Sequence, residues 1–141
     1  MTVAEWLAAA PVEVATVTTD ASLEDAVDRM LALAGSRSVF VTDDDGRLVG
    51  YLPHRRLAAL LLAEFRRSHS PRHLSERIHG GHIHELMHRP HPVGADADLA
   101  HALHHLLDLG DEDLPVIDAD RRLVGVINLT AVLRAFRAGR L

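Results

Sequence analysis

Cysteine is absent from this 141-residue chain, and with it go disulfides, thiolate nucleophiles and thiolate metal sites. Lysine is absent as well: all 15 basic residues are arginines. That excludes a phosphate-binding P-loop and Schiff-base chemistry, both of which need the ammonium group. Long apolar runs are missing. The longest, Leu57 to Ala63, falls far short of the roughly 20 residues that span a bilayer. The N-terminus has Thr2 and Glu5 where a signal peptide needs basic and then apolar residues. The expectation is a soluble, cytoplasmic chain with no direct membrane insertion. There is no surplus of positive charge, since the net charge is -5 and no arginine run forms a basic patch, so nucleic acid is not an expected partner. Hydrophobic residues nevertheless make up 48% of the chain, enough for one domain with a proper core.

What the chain does contain is itself, twice. Leu48-Val49-Gly50 recurs as Leu123-Val124-Gly125. The helical spacing Leu23, Ala26, Val27, Met30, Leu31 recurs as Leu99, Ala102, Leu103, Leu106, Leu107. A period of about 75 residues exceeds the roughly 20–50 of solenoid repeats. It marks a duplicated subdomain, and a cleft between two such halves is a natural ligand site.

Each half predicts the same element order. Thr2-Val3-Ala4-Glu5 is a capping box opening a short helix. A strand is predicted over Val14–Val17 and an amphipathic helix from Ser22 to about Ala34, capped by Ser22. Strands over Ser38–Thr42 and Arg47–Leu52 flank Asp43-Asp44-Asp45-Gly46, a hairpin turn whose glycine suits positive φ, and a helix runs from His54 to Arg67. In the second half the expectations are helices at Ile83–His88, Asp98–Leu109 and Leu129–Arg137, with strands at Pro92–Gly94, Leu114–Ile117 and Arg122–Ile127. Ser68 to Gly81, with Ser70-Pro71 and Gly80-Gly81, reads as a linker. The division is 1–67, a linker over 68–81, and 82–141.

Leu114-Pro115-Val116-Ile117-Asp118 and Leu123-Val124-Gly125-Val126-Ile127, with the looser first copy Val39-Phe40-Val41-Thr42-Asp43 and Leu48-Val49-Gly50-Tyr51-Leu52, resemble the strands of a CBS domain. Ile83-His84-Glu85-Leu86-Met87 resembles its short opening helix. The resemblance covers nearly the whole chain and implies an α+β fold of two pseudo-symmetric βαββα repeats packed as a pair, a Bateman module. It also implies a regulatory, ligand-sensing unit rather than an enzyme, without a cofactor. It places the ligand cleft at Ala21, Arg37, Ser38, His54 and Arg56 in the first copy and at Ala97, Glu112, Asp113, Asn128 and Ala131 in the second.

Two motifs invite a rival reading. His84-Glu85-Leu86-Met87-His88 is a literal H-E-x-x-H, the zinc-protease pattern. The aligned Val3-Ala4-Glu5-Trp6-Leu7 keeps the apolar spacing and the glutamate but not the histidines. The helix therefore has a fold role without metal, with Ile83, Leu86 and Met87 as its buried stripe. Ten of the 11 histidines lie between His69 and His105. His101 and His105 are one helical turn apart, a workable metal pair. Their first-half counterparts are Asp25 and Arg29, and Asp28 matches His104, so these are solvent-face positions. The Asp43–Asp45 run is better explained as a solvated turn than as a cation site. No catalytic and no metal-ligating residue is assigned.

In adenosine-binding CBS repeats the return strand continues Gly-apolar-apolar-Ser/Thr-x-x-Asp, whose hydroxyl and carboxylate hold the ribose. This chain has Pro53 and Arg56 there in the first copy, and Asn128 and Ala131 in the second. Both carboxylates are missing. A hydrogen bond to a charged group is worth about 1.5–3 kcal/mol, so weak AMP or ATP binding is expected. The acids Asp111-Glu112-Asp113 read first as a solvated loop, and facing a cleft they disfavour a phosphate and favour a cation; His54, Arg55 and Arg56 are either the exposed start of a helix or a holder for an anion. The helix containing Leu57, Leu60, Leu61, Leu62 and Phe65 is apolar on more than one face, which predicts a homodimer. The alternative to a stand-alone sensor is a cytosolic regulatory or dimerisation piece of a larger transporter or channel of the CLC type, with an empty cleft and an attached or associated effector.

Overall fold

A computed structural model describes residues 1–33, 35–67 and 82–141. The expected linker, the end of the Ser22–Ala34 helix, and His69, His73 and His79 lie outside the described residues. The first half runs α1 (Val3–Ala9), β1 (Thr16–Thr18), α2 (Leu23–Ala32), β2 (Ser38–Thr42), β3 (Leu48–Pro53) and α3 (His54–Arg67). The second runs α4 (Ile83–Leu86), β4 (Val93–Gly94), α5 (Leu99–Leu109), β5 (Asp113–Ile117), β6 (Leu123–Asn128) and α6 (Leu129–Arg137).

Each half builds a three-stranded sheet, ordered β1-β2-β3 and β4-β5-β6. The first pair of strands in each sheet is parallel and the second antiparallel. The crossover helix α2 or α5 spans the parallel pair, as such a connection requires. Both hairpins slip register at the same place, Val41/Thr42 and Val116/Ile117. In both turns an aspartate side chain accepts two backbone amides. Asp43 takes those of Asp45 and Arg47, and Asp118 those of Asp120 and Arg122, all at 2.9 Å. The Asp43 carboxylate is thereby committed to its own turn. Gly46 sits at φ 81°, as expected, but the second turn places Arg121 at φ 66°.

The helix caps follow the sequence. The Glu5 amide donates to the Thr2 hydroxyl at 3.2 Å, and the Thr2 amide to the Glu5 carboxylate at 2.9 Å. Ser22 and Asp25 repeat that box on α2, satisfying amides that a helix start leaves open. β1 begins two residues later than the predicted Val14–Val17 and ends one later, because Thr16, Val17 and Thr18 are what pair with Phe40, Val41 and Thr42.

Packing crosses the sequence halves. Val3 and Trp6 of α1 are buried in the second-half core with Leu99, Leu106, Leu114 and Ile127. Ile83 of α4 is buried in the first-half core with Leu23, Val39, Leu52 and Leu57. The two halves thus exchange their opening helices. Main-chain bonds fix the exchange, with the Val3 amide donating to the Ala97 carbonyl at 2.9 Å. It also explains the repeated glycine. A Cβ on Gly125 would stand 2.8 Å from a Leu7 methyl of α1, and one on Gly50 would overlap the Met87 thioether. A third cluster, Phe40, Leu48 and Val126, with Val12, Val14 and Tyr51 against it, cements one sheet to the other.

Candidate ligand-binding cleft

Asp113 opens β5 opposite Asn128 of β6 and is 5% exposed. Its carboxylate accepts from the Asn128 side-chain amide at 2.6 Å and from the Arg37 backbone amide at 3.2 Å. One buried side chain therefore ties the second-half hairpin to the loop before β2 of the first half. Burial pushes its carboxyl above the ordinary 3.8, and the bonds from Asn128 and from the Arg37 amide oppose that rise. Its first-half equivalent is Ser38, also buried and paired with Pro53.

Beside Asp113 opens a cavity of about 470 Å³, within the usual range for small-ligand sites. The connection from α1 to β1 forms one wall through Val12, Glu13, Val14 and Ala15, and Leu33 with Gly35, Ser36, Arg37 and Ser38 forms a second. Val126, Asn128, Thr130, Ala131 and Arg134 come from β6 and the start of α6. The lining carries both signs of charge: Glu13 and Asp113 against Arg37 and Arg134. Arg37 pairs with Glu112 at 3.3 Å, with both side chains about half exposed, a solvent-screened contact of little strength. Arg134 makes no ion pair among the described residues.

Of the ten positions expected from the sequence, Arg37, Ser38, Asp113, Asn128 and Ala131 line this cavity, whereas Ala21, His54, Arg56, Ala97 and Glu112 do not. Ala97 is engaged by α1 through its carbonyl. Ala21 packs on the first-half core. His54 caps back onto the Arg37 carbonyl through Nδ1 at 3.1 Å. Arg56 donates its Nε–H to the Leu86 carbonyl at 3.3 Å, and Glu112 holds Arg37 from outside. Asn128, read from the sequence as able to contact a ligand, already uses both ends of its amide: its oxygen caps α6 at the Ala131 amide, 3.1 Å away, and its nitrogen serves Asp113.

Sequence reasoning missed Arg134, Thr130 and the Val12–Ala15 wall. Arg134 lies three residues after Ala131, on the same helical face, so that signal was present. The wall carries no motif.

The H-E-x-x-H pattern is not carried on one helix. α4 ends at Leu86, one turn long, and His88 lies beyond it, exchanging backbone bonds with Tyr51 at 2.9 and 3.1 Å. This corrects the expected helix Ile83–His88: the strand-like pairing of His88 captures the backbone that a second turn would need. No group of three or more histidine, aspartate or glutamate residues is placed to hold a metal among the described residues. No helix among them is long and apolar enough to cross a membrane.

Comparison with known proteins agrees with this architecture. The family model of the CBS domain matches residues 10–63 and 83–138. No curated protein matches the chain. Among solved structures, a CBS domain-containing protein from Thermotoga maritima is 27% identical, with TM-score 0.73, over 99% of this chain and 96% of that one. CBSX2 in complex with AMP is 26% identical, with TM-score 0.70, over 93% and 91%. The CBS domain pair of protein MJ0100 in complex with 5'-methylthioadenosine and S-adenosyl-L-methionine shares the fold at 19% identity and TM-score 0.74, over 99% and 98%.

Proposed function

This chain belongs to the CBS domain family, and from that premise we propose that it is a non-catalytic regulatory module, with repeats over 1–67 and 82–141, that senses a small ligand in the cleft containing Asp113. The observation that carries the reading is the cavity at the seam. Its walls come from both halves, and a buried carboxylate bonded to both halves stands in it. A ligand there contacts two bodies at once, so it favours one arrangement of them over another. Differential affinity for two arrangements is all that sensing requires.

The lining favours one class of ligand. Asp113 offers its remaining acceptor capacity to a donor or cationic group, and Arg134 offers a guanidinium to an anionic group. A small zwitterion satisfies both, while a phosphate dianion meets Glu13 and Asp113 as like charges. Relatives of this family hold AMP, 5'-methylthioadenosine and S-adenosyl-L-methionine, so the adenine nucleoside class is the starting point. S-adenosyl-L-methionine, with its ammonium and carboxylate, is the expected better fit.

A thermal-shift screen of AMP, ATP, S-adenosyl-L-methionine, magnesium and chloride tests this. S-adenosyl-L-methionine should raise the unfolding midpoint, and Arg134→Gln should reduce the rise. Midpoints unmoved by every compound would overturn the proposal.

Self-association belongs to the same reading. Leu57 is buried, but Leu62 and Phe65 on α3 and Leu133 and Phe136 on α6 are exposed. Helix faces this apolar are normally covered, and a homodimer through α3 and α6 covers them.

A further inference from the structure

The repeat gives the pair a second cleft, related to the first by exchanging the halves, and its contents differ. The hairpin registers set Tyr51 in the place of Val126, since Tyr51 pairs with Phe40 as Val126 pairs with Pro115. Asp111 stands two residues before Asp113 as Ser36 stands two before Ser38. His88 stands five before Val93 as Val12 stands five before Val17.

In the first cleft the small residues Val12, Val126 and Ser36 leave the cavity open. In the second the larger set closes on itself. The Tyr51 hydroxyl donates to Asp111 Oδ2 at 3.2 Å. Its ring stacks on Phe40 at 6.3 Å and leans on the His88 ring at 5.8 Å. His88, in the connection from α4 to β4, exchanges main-chain bonds with Tyr51, which holds that connection against β3. Arg56 is tethered to the Leu86 carbonyl at the same edge.

We infer that the first cleft alone is a ligand site: Tyr51, clasped by His88 and Asp111, fills the second, so each chain takes one ligand rather than two. This rests on the ligand-sensing reading above and adds stoichiometry and place to it. It also gives the Tyr51 cluster a role, as the closed edge of the pair about which the open edge can respond. Burial, reinforced by the nearby Asp111 charge and bond, pushes the Tyr51 phenol up to about 12.

The test is amide chemical-shift mapping of the full chain with S-adenosyl-L-methionine and, separately, AMP at millimolar concentration. Two variants accompany the parent: Tyr51→Val, which installs the residue of the open cleft, and Asp111→Ala, which only removes the clasp. In the parent, shifts are expected around Gly35, Ser36, Asn128 and Thr130 and not around Tyr51, His88 and Asp111. Tyr51→Val should add the second set. Parent shifts at both clefts would overturn the inference while leaving ligand sensing at the Asp113 cleft intact, whereas shifts at the second cleft alone would overturn both. Silence at both clefts in all three proteins would refute ligand sensing itself, and the inference with it.

Discussion

Asp113 is the residue on which most of this account turns, and its burial has a pH signature. A carboxyl whose folded value is raised holds its proton more tightly in the folded chain than in the unfolded one. Its contribution to stability is therefore complete below the ordinary 3.8 and is lost as pH rises through the raised folded value. Asp113→Ser, which copies Ser38, should remove that downward slope. Urea unfolding from pH 3.5 upward, with parent and variant side by side, reads it. A parent stability that rises with pH relative to the variant would mean that the hydrogen bonds outweigh burial. The ribose clamp is the second residue-scale test. AMP is expected to bind the parent with Kd near or above about 1 mM. Ala131 lines the open cavity and Arg56 does not, so Ala131→Asp should tighten AMP binding by roughly 10-fold or more and Arg56→Asp should change it little. Calorimetry on the parent and both variants decides this, and micromolar AMP binding by the parent would show that the nucleotide is held without the clamp.

Helices were the most legible elements, because their ends carry chemistry of their own. Thr2, Ser22 and Asp98 mark helix starts as caps, and α3 begins and ends where the apolar spacing predicts. β1 was less legible, since Val12, Val14, Ala15 and Val17 spread apolar residues through a stretch of which only Thr16–Thr18 pairs. The exchange of opening helices could not be read at all. A capping box and an apolar stripe say that a helix buries one face, not which half receives it. Its energetic consequence is testable: Trp6→Ala removes a 3% exposed side chain and should cost about 3–5 kcal/mol by denaturant unfolding. Gly50→Ala should cost about 1–3 kcal/mol through overpacking against Met87, and adding Met87→Ala should recover part of it. Additive losses in that cycle would mean that the two residues do not meet. His84→Ala, on the exposed side of α4, should change stability by no more than about 0.5 kcal/mol.

At the scale of the whole molecule, the duplication announces two halves and a cleft, but not that the two clefts differ. The closing contact joins Tyr51 to Asp111, 60 residues apart, and no local pattern encodes such a pair. The exposed apolar residues of α3 and α6 set a further expectation, a dimer by light scattering at micromolar concentration that Phe136→Glu weakens. A monomeric parent would contradict it. The central claim is that a ligand in the open cleft changes how the halves sit. The lack of cysteine makes a direct measurement clean, because two introduced thiols are the only labelling sites. Leu31→Cys on α2 and Leu107→Cys on α5 occupy matching, exposed positions in the two halves. Pulsed spin-label distances between them, taken without and with saturating S-adenosyl-L-methionine, should shift to a new and narrower distribution. Binding registered by the amide shifts of Ser36 and Asn128 but accompanied by an unchanged distance distribution would contradict the account.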